Sequence, residues 1–310
     1  RISAPRPPSP IMQNANADFT QVLQQIAAEL ARTNTLLAQS LPQPVAAPDW
    51  AAAIAWRWRS SSAGSGVRKS LAPVAQVQAP QLDDLQAVAE QKQRLAQNIG
   101  QFVAGKPANH VLLSGARGTG KSSLIKAVLQ AFAPQGLRLI EVDKDDLVDL
   151  PEIVELVAPR PEKFLIYCDD MSFEAGETRY KALKSVLDGS VAATSANVLV
   201  CATSNRRHLL PETMRDNQSY QHTPDGELHP GEAVEEKISL SERFGLWLSF
   251  YSFSQDEYLL IANHWLAALG ANATQIEAAR GEALLWALTR GSRSGRVARQ
   301  FAQDWVAQHL

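Results

Sequence analysis

Cysteine is almost missing from this sequence. Cys168 and Cys201 are its two examples in 310 residues, and each lies inside an apolar run with the texture of a buried strand. Two cysteines so placed cannot build a disulfide framework, so a reducing, cytoplasmic setting is the simplest expectation. Long hydrophobic runs are missing too. The longest, "FGLWLSFYSF", falls short of the roughly 18 residues of a membrane span and reads as a core strand. Charge of one sign is also lacking: 30 Lys and Arg against 32 Asp and Glu leave a net charge of −2. That balance gives no global pull toward nucleic acid or an anionic membrane. The opening "RISAPRPPSP" has neither Met nor the apolar core of a signal peptide. Residues 1–11 are therefore read as a vector-derived remnant and set aside.

What is present reads as a globular chain, 45% hydrophobic and 20% charged, long enough to bury a sizeable core. Residues 12–42 form an amphipathic helix. Phe19, Leu23, Ile26, Leu30, Leu37 and Leu41 lie near heptad spacing, a narrow seam suited to docking on the protein itself or on a partner helix. Residues 43–81 read as a linker, broken by "PQPVAAP" and loosened by "SSSAGSG". Within it, "WRWR" from Trp56 to Arg59 allows two readings. The indoles could stack on bases while the arginines contact phosphates, or the indoles could pack on the protein with the arginines in water. The second is favoured.

From Leu82 the texture alternates. "HVLLS", "LRLIEVD", "KFLIYCDD", "NVLVCATSN" and "GLWLSFYSF" read as strands separated by helical segments. Near-continuous apolar strands of this kind belong to a parallel sheet covered on both faces. After Ser254 the pattern is purely helical. The expected fold is α/β: a three-layer parallel sheet of five strands over 82–254, a helical domain over 255–310, and an N-terminal helical extension.

The chemistry is carried by "GARGTGKSS", Gly115 to Ser123, between the first of these strands and a helix. Gly-x-x-x-x-Gly-Lys-Ser in that context is a phosphate-binding loop. Gly118 and Gly120 let the backbone curl so that its N–H groups point at phosphate oxygens. The helix beginning near Lys121 adds its positive end. Lys121 would reach the β- and γ-phosphates and Ser122 would take a position on Mg²⁺. The nucleotide-binding set is thus Gly115, Ala116, Arg117, Gly118, Thr119, Gly120, Lys121, Ser122 and Ser123. "FLIYCDD" supplies the carboxylates at the carboxyl end of a strand, where ligands of parallel sheets bind. Asp169 would hold Mg²⁺, and Asp170 would orient and polarise the attacking water. Asn205, ending "CATSN", could touch the γ-phosphate or that water. Taken singly, Arg243, Arg293, Arg296 and Arg299 are ordinary surface arginines.

In this order the pieces resemble the AAA+ ATPases, over about Leu82 to Leu310. "GARGTGKS" looks like Walker A, "FLIYCDD" like Walker B, "NVLVCATSN" like the sensor-1 strand, "SERFG" like the arginine-finger segment and "SGRVA" like the start of a sensor-2 lid helix. The longer run through "ATSNRRHLLPE" and "EKISLSERFGLWLSFY" resembles a bacterial family of AAA+ proteins catalogued as a domain of unknown function. The resemblance implies ATP and Mg²⁺ as cofactors, a C-terminal lid, and assembly into a ring or arc. Arg296 would reach back to the γ-phosphate, with Arg293 as competitor. Arg243 would enter a neighbouring subunit's site, with Arg206 and Arg207 as competitors. One departure matters. The family's Walker B motif usually ends Asp-Glu, and here Asp170 is one methylene shorter, which favours slow hydrolysis or a nucleotide switch. The Asp-Asp ending is also similar to the initiator and helicase-loader branch, which keeps nucleic-acid work as an alternative.

Partners are weakly encoded. The loop after the second strand, "DKDDLVDLPE", lacks an aromatic–apolar–Gly trio for gripping polypeptide, and its charge is wrong for phosphate backbones. Residues 211–237 are long, polar and weakly patterned, which suits a partner-binding insertion. His208, His222 and His229 in or near it lack the companions of a metal site.

Overall fold

The computed structural model describes residues 10–40, 45, 47–63, 66–172, 180–188, 196–206, 221–222, 228–229 and 240–310. They fall into two compact units, Arg1–Ala46 with Ser60–Ser70, and Ala47–Arg59 with Leu71–Leu310. In the first, helix α1 spans Pro10–Ser40. Val22, Leu23, Ile26, Leu30, Leu36 and Leu37 on it are all about half exposed or more. Thr33, in the same seam, donates its hydroxyl to the Glu29 carbonyl at 2.8 Å.

The sheet has strands β1 (Ala55–Ala63), β2 (Gly66–Pro73), β3 (Val111–Gly115), β4 (Leu137–Glu141), β5 (Lys163–Cys168), β6 (Val198–Ser204) and β9 (Leu246–Phe250); all of it belongs to the second unit except Ser60–Ala63 of β1 and Gly66–Ser70 of β2. Their order is β2-β1-β4-β5-β6-β3-β9. Each pairing from β1 across to β9 is parallel. The five expected strands form one contiguous block, β4-β5-β6-β3-β9, but the sheet has seven, and the two extra strands at its other end lie within the expected linker. "WRWR" is a period-two pattern: Trp56 and Trp58 are buried on one face while Arg57 and Arg59 are exposed. The Ser/Gly run beside it hides that pattern. Trp56 registers with Ile140 and meets Trp50 edge-on at 4.7 Å. Trp58 donates to Asp149 at 2.9 Å, and Arg57 pairs with Glu141 at 2.8 Å. The indoles are therefore core, unavailable for stacking on bases.

Alternation divides the strand residues between two faces. Leu113, Leu139, Leu165 and Leu199 join one apolar cluster with α2 (Ala89–Val103) and α3 (Lys121–Phe132). Leu112, Ile140, Ile166 and Val200 are equally buried on the other face. The buried Ile153 of α4 (Leu150–Val157) and Leu183 of α5 (Tyr180–Leu187) likewise lie outside the first cluster, and these two helices pack on each other. Cys168 and Cys201 are fully buried, and burial pushes the Cys168 thiol up to about 12, so neither is a ready nucleophile. A two-residue ribbon, β7 (Gln221–His222) with β8 (Leu228–His229), is what is described of 211–237. The remainder of that insertion, Arg207 and residues 1–9 lie outside the described residues.

Three helices end the chain: α6 (Gln255–Ala268), α7 (Ala273–Thr289) and α8 (Gly295–His309). Ser254, Asn272 and Ser294 cap their starts through side-chain oxygens, so each boundary is written locally. These helices belong to the same compact unit as the sheet. Among the described residues no helix is long and apolar enough to cross a membrane.

Candidate nucleotide site

The carboxyl ends of β3, β6 and β5 lie side by side, and each delivers part of one cleft of about 650 Å³. β3 delivers the glycine-rich loop. Gly115 has φ +124°, and a Cβ there would stand 1.9 Å from the Phe250 carbonyl oxygen, because the chain crosses tightly onto β9. That crossing is fixed by the bond from the Ala116 N–H to the same oxygen at 2.9 Å. The first glycine is thus a packing requirement. Gly118 and Gly120 are left-handed, at φ +74° and +98°, and make the curl. Gly120 caps α3 without a side chain, so no side-chain cap occupies the helix's first N–H groups, which face the cleft.

Lys121 is nine-tenths buried, and its ammonium donates to the carbonyls of Gly115 at 2.9 Å and Ala116 at 2.7 Å and to Asn205 Oδ1 at 3.1 Å. Burial holds its pKa below the lysine norm, against the pull of Asp170 and Asp169. Asn205 in turn donates through Nδ2 to Asp170 Oδ1. Asp170 itself sits at φ +49°, a conformation that Asp tolerates better than most residues, with its N–H donating to Thr203 Oγ1 at 2.9 Å. Asp169 Oδ1 accepts from Ser122 at 2.8 Å and Thr203 at 2.6 Å. Burial would raise this carboxyl, but the hydroxyls of Thr203 and Ser122 bonded to it, with that of Tyr167 nearby, outweigh it and hold Asp169 below the usual carboxylate range.

The donor set fits a magnesium–nucleotide complex. An ionised carboxylate and a serine hydroxyl offer the hard oxygens that Mg²⁺ takes, one residue from a buried lysine and an uncapped helix start.

The opposite wall has no counterpart among the sequence motifs. Pro80, Asp84, Leu85, Gln86 and Val88 line it from the segment before α2, and Ile261 and Trp265 line it from α6. Asp84 and His264 join these two sides at 3.0 Å. Arg296 and Arg299 line the cleft from α8, and the Arg299 guanidinium lies 4.7 Å over the Trp265 ring. Arg293 is exposed and does not line the cleft. Arg243 does not line it either, and forms an ion pair with Asp188 at the end of α5. Arg206 is exposed just past β6. Arg299 is signalled by its place three residues after Arg296, one helical turn along. The segment from Pro80 to Val88 carries no local signal beyond its break before a helix.

Among solved structures, the Thermotoga maritima RuvB Holliday junction branch migration motor is similar over 74% of this chain and 65% of its own, with 13% identity and a TM-score of 0.48. The Escherichia coli MS115-1 HORMA:CdnC:Trip13 complex contains a chain similar over 72% of this one and 90% of its own, with 16% identity and a TM-score of 0.45. The present chain thus spans just under two thirds of the RuvB chain it matches. No curated protein matches it. A family model does, over residues 51–309, and with that coverage the chain belongs to the family described as protein of unknown function (DUF815).

Proposed function

We propose that this protein is an AAA+ ATPase that binds ATP with Mg²⁺, hydrolyses it as an oligomer, and uses the cycle to remodel or assemble a partner. The carrying observation is the pair of hydrogen-bond chains, Lys121–Asn205–Asp170 and Ser122–Asp169–Thr203, that meet at the ends of three strands. Mg²⁺ held at this site would supply positive charge against that developing on the phosphates. Lys121 would exchange its loop carbonyls for phosphate oxygens. Ser122 and Asp169 would hold the metal. Asp170, kept in place by Asn205, would orient the attacking water and take its proton. Arg296, on the cleft wall, would meet the γ-phosphate, and Arg299 stands one turn farther along the same wall.

Arg243 would act on a neighbour's site, since it stands apart from the cleft of its own chain. To do so it would leave Asp188, which makes the ion pair a candidate restraint on unassembled subunits. The half-exposed seam of α1 and the insertion at 211–237 are the surfaces proposed for a protein partner. A second reading, a nucleotide switch with little turnover, is favoured by Asp170 itself, whose shorter side chain is tied to Asn205. A nucleic-acid role through "WRWR" is disfavoured by the burial of both indoles.

ATP turnover per subunit measured against protein concentration, with particle mass read on the same samples, tests the proposal. Turnover that rises with assembly and collapses in Arg243→Ala, while ATP still binds, supports an oligomeric ATPase. Binding with background turnover at every concentration supports the switch. Absence of ATP binding overturns both.

A further inference from the structure

Strand β5 carries a residue that the nucleotide reading leaves unused. Alternation along the strand puts Tyr167 on the same side as Asp169, and Tyr167 registers with Cys201 of β6, two residues before Thr203. The phenol hydroxyl accordingly lies against Asp169, Ser122 and Thr203. The side chain is 1% exposed, yet its hydroxyl completes no hydrogen bond. A phenylalanine would fill the same space without burying an unpaired polar group, so the hydroxyl needs a reason.

We propose that Tyr167 is a positioning residue, whose buried hydroxyl steadies the Asp169 carboxylate from beneath when that carboxylate takes up the magnesium ion of a bound nucleotide. The proposal rests on the nucleotide reading above and concerns the same site.

Three observations carry it. First, the hydroxyls of Ser122, at 2.8 Å, and Thr203, at 2.6 Å, converge on the same Asp169 oxygen, Oδ1. Two bonds to one oxygen leave the carboxylate free to pivot about it, and a third donor at the core side removes that freedom. Second, Ser122 is itself assigned to the metal, so its hold on Asp169 is shared in the loaded site, whereas a tyrosine rooted in the core has no competing duty. Third, Tyr167, Thr203 and Ser122 are neutral donors. They fix the carboxylate without cancelling the charge that a divalent cation needs, which a lysine in the same place would do. Outer partners of this kind commonly change metal affinity or activity by about 10–100-fold when removed.

The test is Tyr167→Phe, which keeps the ring in its packing. Binding of a fluorescent ATP analogue is measured in EDTA and across a Mg²⁺ titration, beside thermal unfolding and turnover. The expected result is unchanged affinity in EDTA, a Mg²⁺ half-saturation raised about tenfold or more, and a fall in kcat larger than any change in KM. In an Asp169→Asn background the same substitution should add nothing, because its effect runs through that carboxylate. Thr203→Val, which removes a neighbouring donor, should shift Mg²⁺ half-saturation in the same direction and gives an independent arm should the phenylalanine variant not fold. An unchanged Mg²⁺ half-saturation in the variants, with or without a lower Tm, overturns the proposal and leaves Tyr167 a core residue. Wild-type protein that binds the analogue in neither condition overturns the nucleotide reading itself, and a wild type that binds it without regard to Mg²⁺ overturns the metal assignment alone.

Discussion

The strand-end half of the cleft is assembled from charged and hydroxyl side chains within a few residues of β3, β5 and β6. The half beneath the terminal helices joins the segment around Asp84 to His264, a contact 180 positions apart in sequence. In the first half almost every functional atom is held by a named hydrogen bond. In the second, Leu85, Val88, Ile261 and Trp265 supply apolar shape, interspersed with Asp84, Gln86 and the arginines of α8. Chemistry that must be exact is thus built on rigid strand termini, and the facing wall is built on a helix and a short connecting segment.

Substitutions can break or sharpen that contrast. The largest effect is expected for Gly115→Ala, where the new methyl meets the Phe250 carbonyl in a backbone conformation unfavourable to alanine. A loss of more than about 4 kcal/mol, read by denaturant unfolding or as failure to accumulate soluble protein, is the expected outcome. Lys121→Ala should lower turnover by about 10³-fold and weaken ATP binding, measured by steady-state kinetics beside calorimetry. Asp170→Asn should lower kcat about 10²-fold with ATP binding retained, a split that separates water activation from phosphate capture. On the other wall, Trp265→Ala should weaken nucleotide binding about tenfold with little change in kcat, as loss of a stacking surface does. If instead it matched Lys121→Ala, the two halves would not be functionally distinct. The smallest effect belongs to neither half. Trp58→Phe removes the donor to Asp149 and should cost about 1–2 kcal/mol in denaturant unfolding, with turnover unchanged.

This contrast also explains what can be read in the sequence. The loop from Gly115 to Ser123 and the pair Asp169–Asp170 are legible because their geometry is local: a strand, a turn and a helix start within a dozen residues. Arg296 over Arg293 is harder, since Arg293 precedes the cap of α8 and the choice depends on where that helix lands. Strands β1 and β2 escape a sequence reading although "WRWR" is a two-residue alternation, because the adjoining serine and glycine argue for a linker. Pro80 to Val88 cannot be recognised at all. Those residues become a wall only once α6 has packed across from them, and no local pattern records such an encounter. The packing role of Gly115 is likewise invisible, since its neighbour is a carbonyl 135 residues farther along the chain.

The last helix begins against the phosphate-binding loop. The Gly295 N–H donates to the Gly118 carbonyl at 2.9 Å, and a side chain on Gly118 would strike Ser294 at 2.8 Å. From that peptide α8 runs without a break for 15 residues, about 22 Å, to His309. That geometry gives it the form of a lever arm rooted at the loop: a displacement of Gly118 would be carried along its length to the far tip.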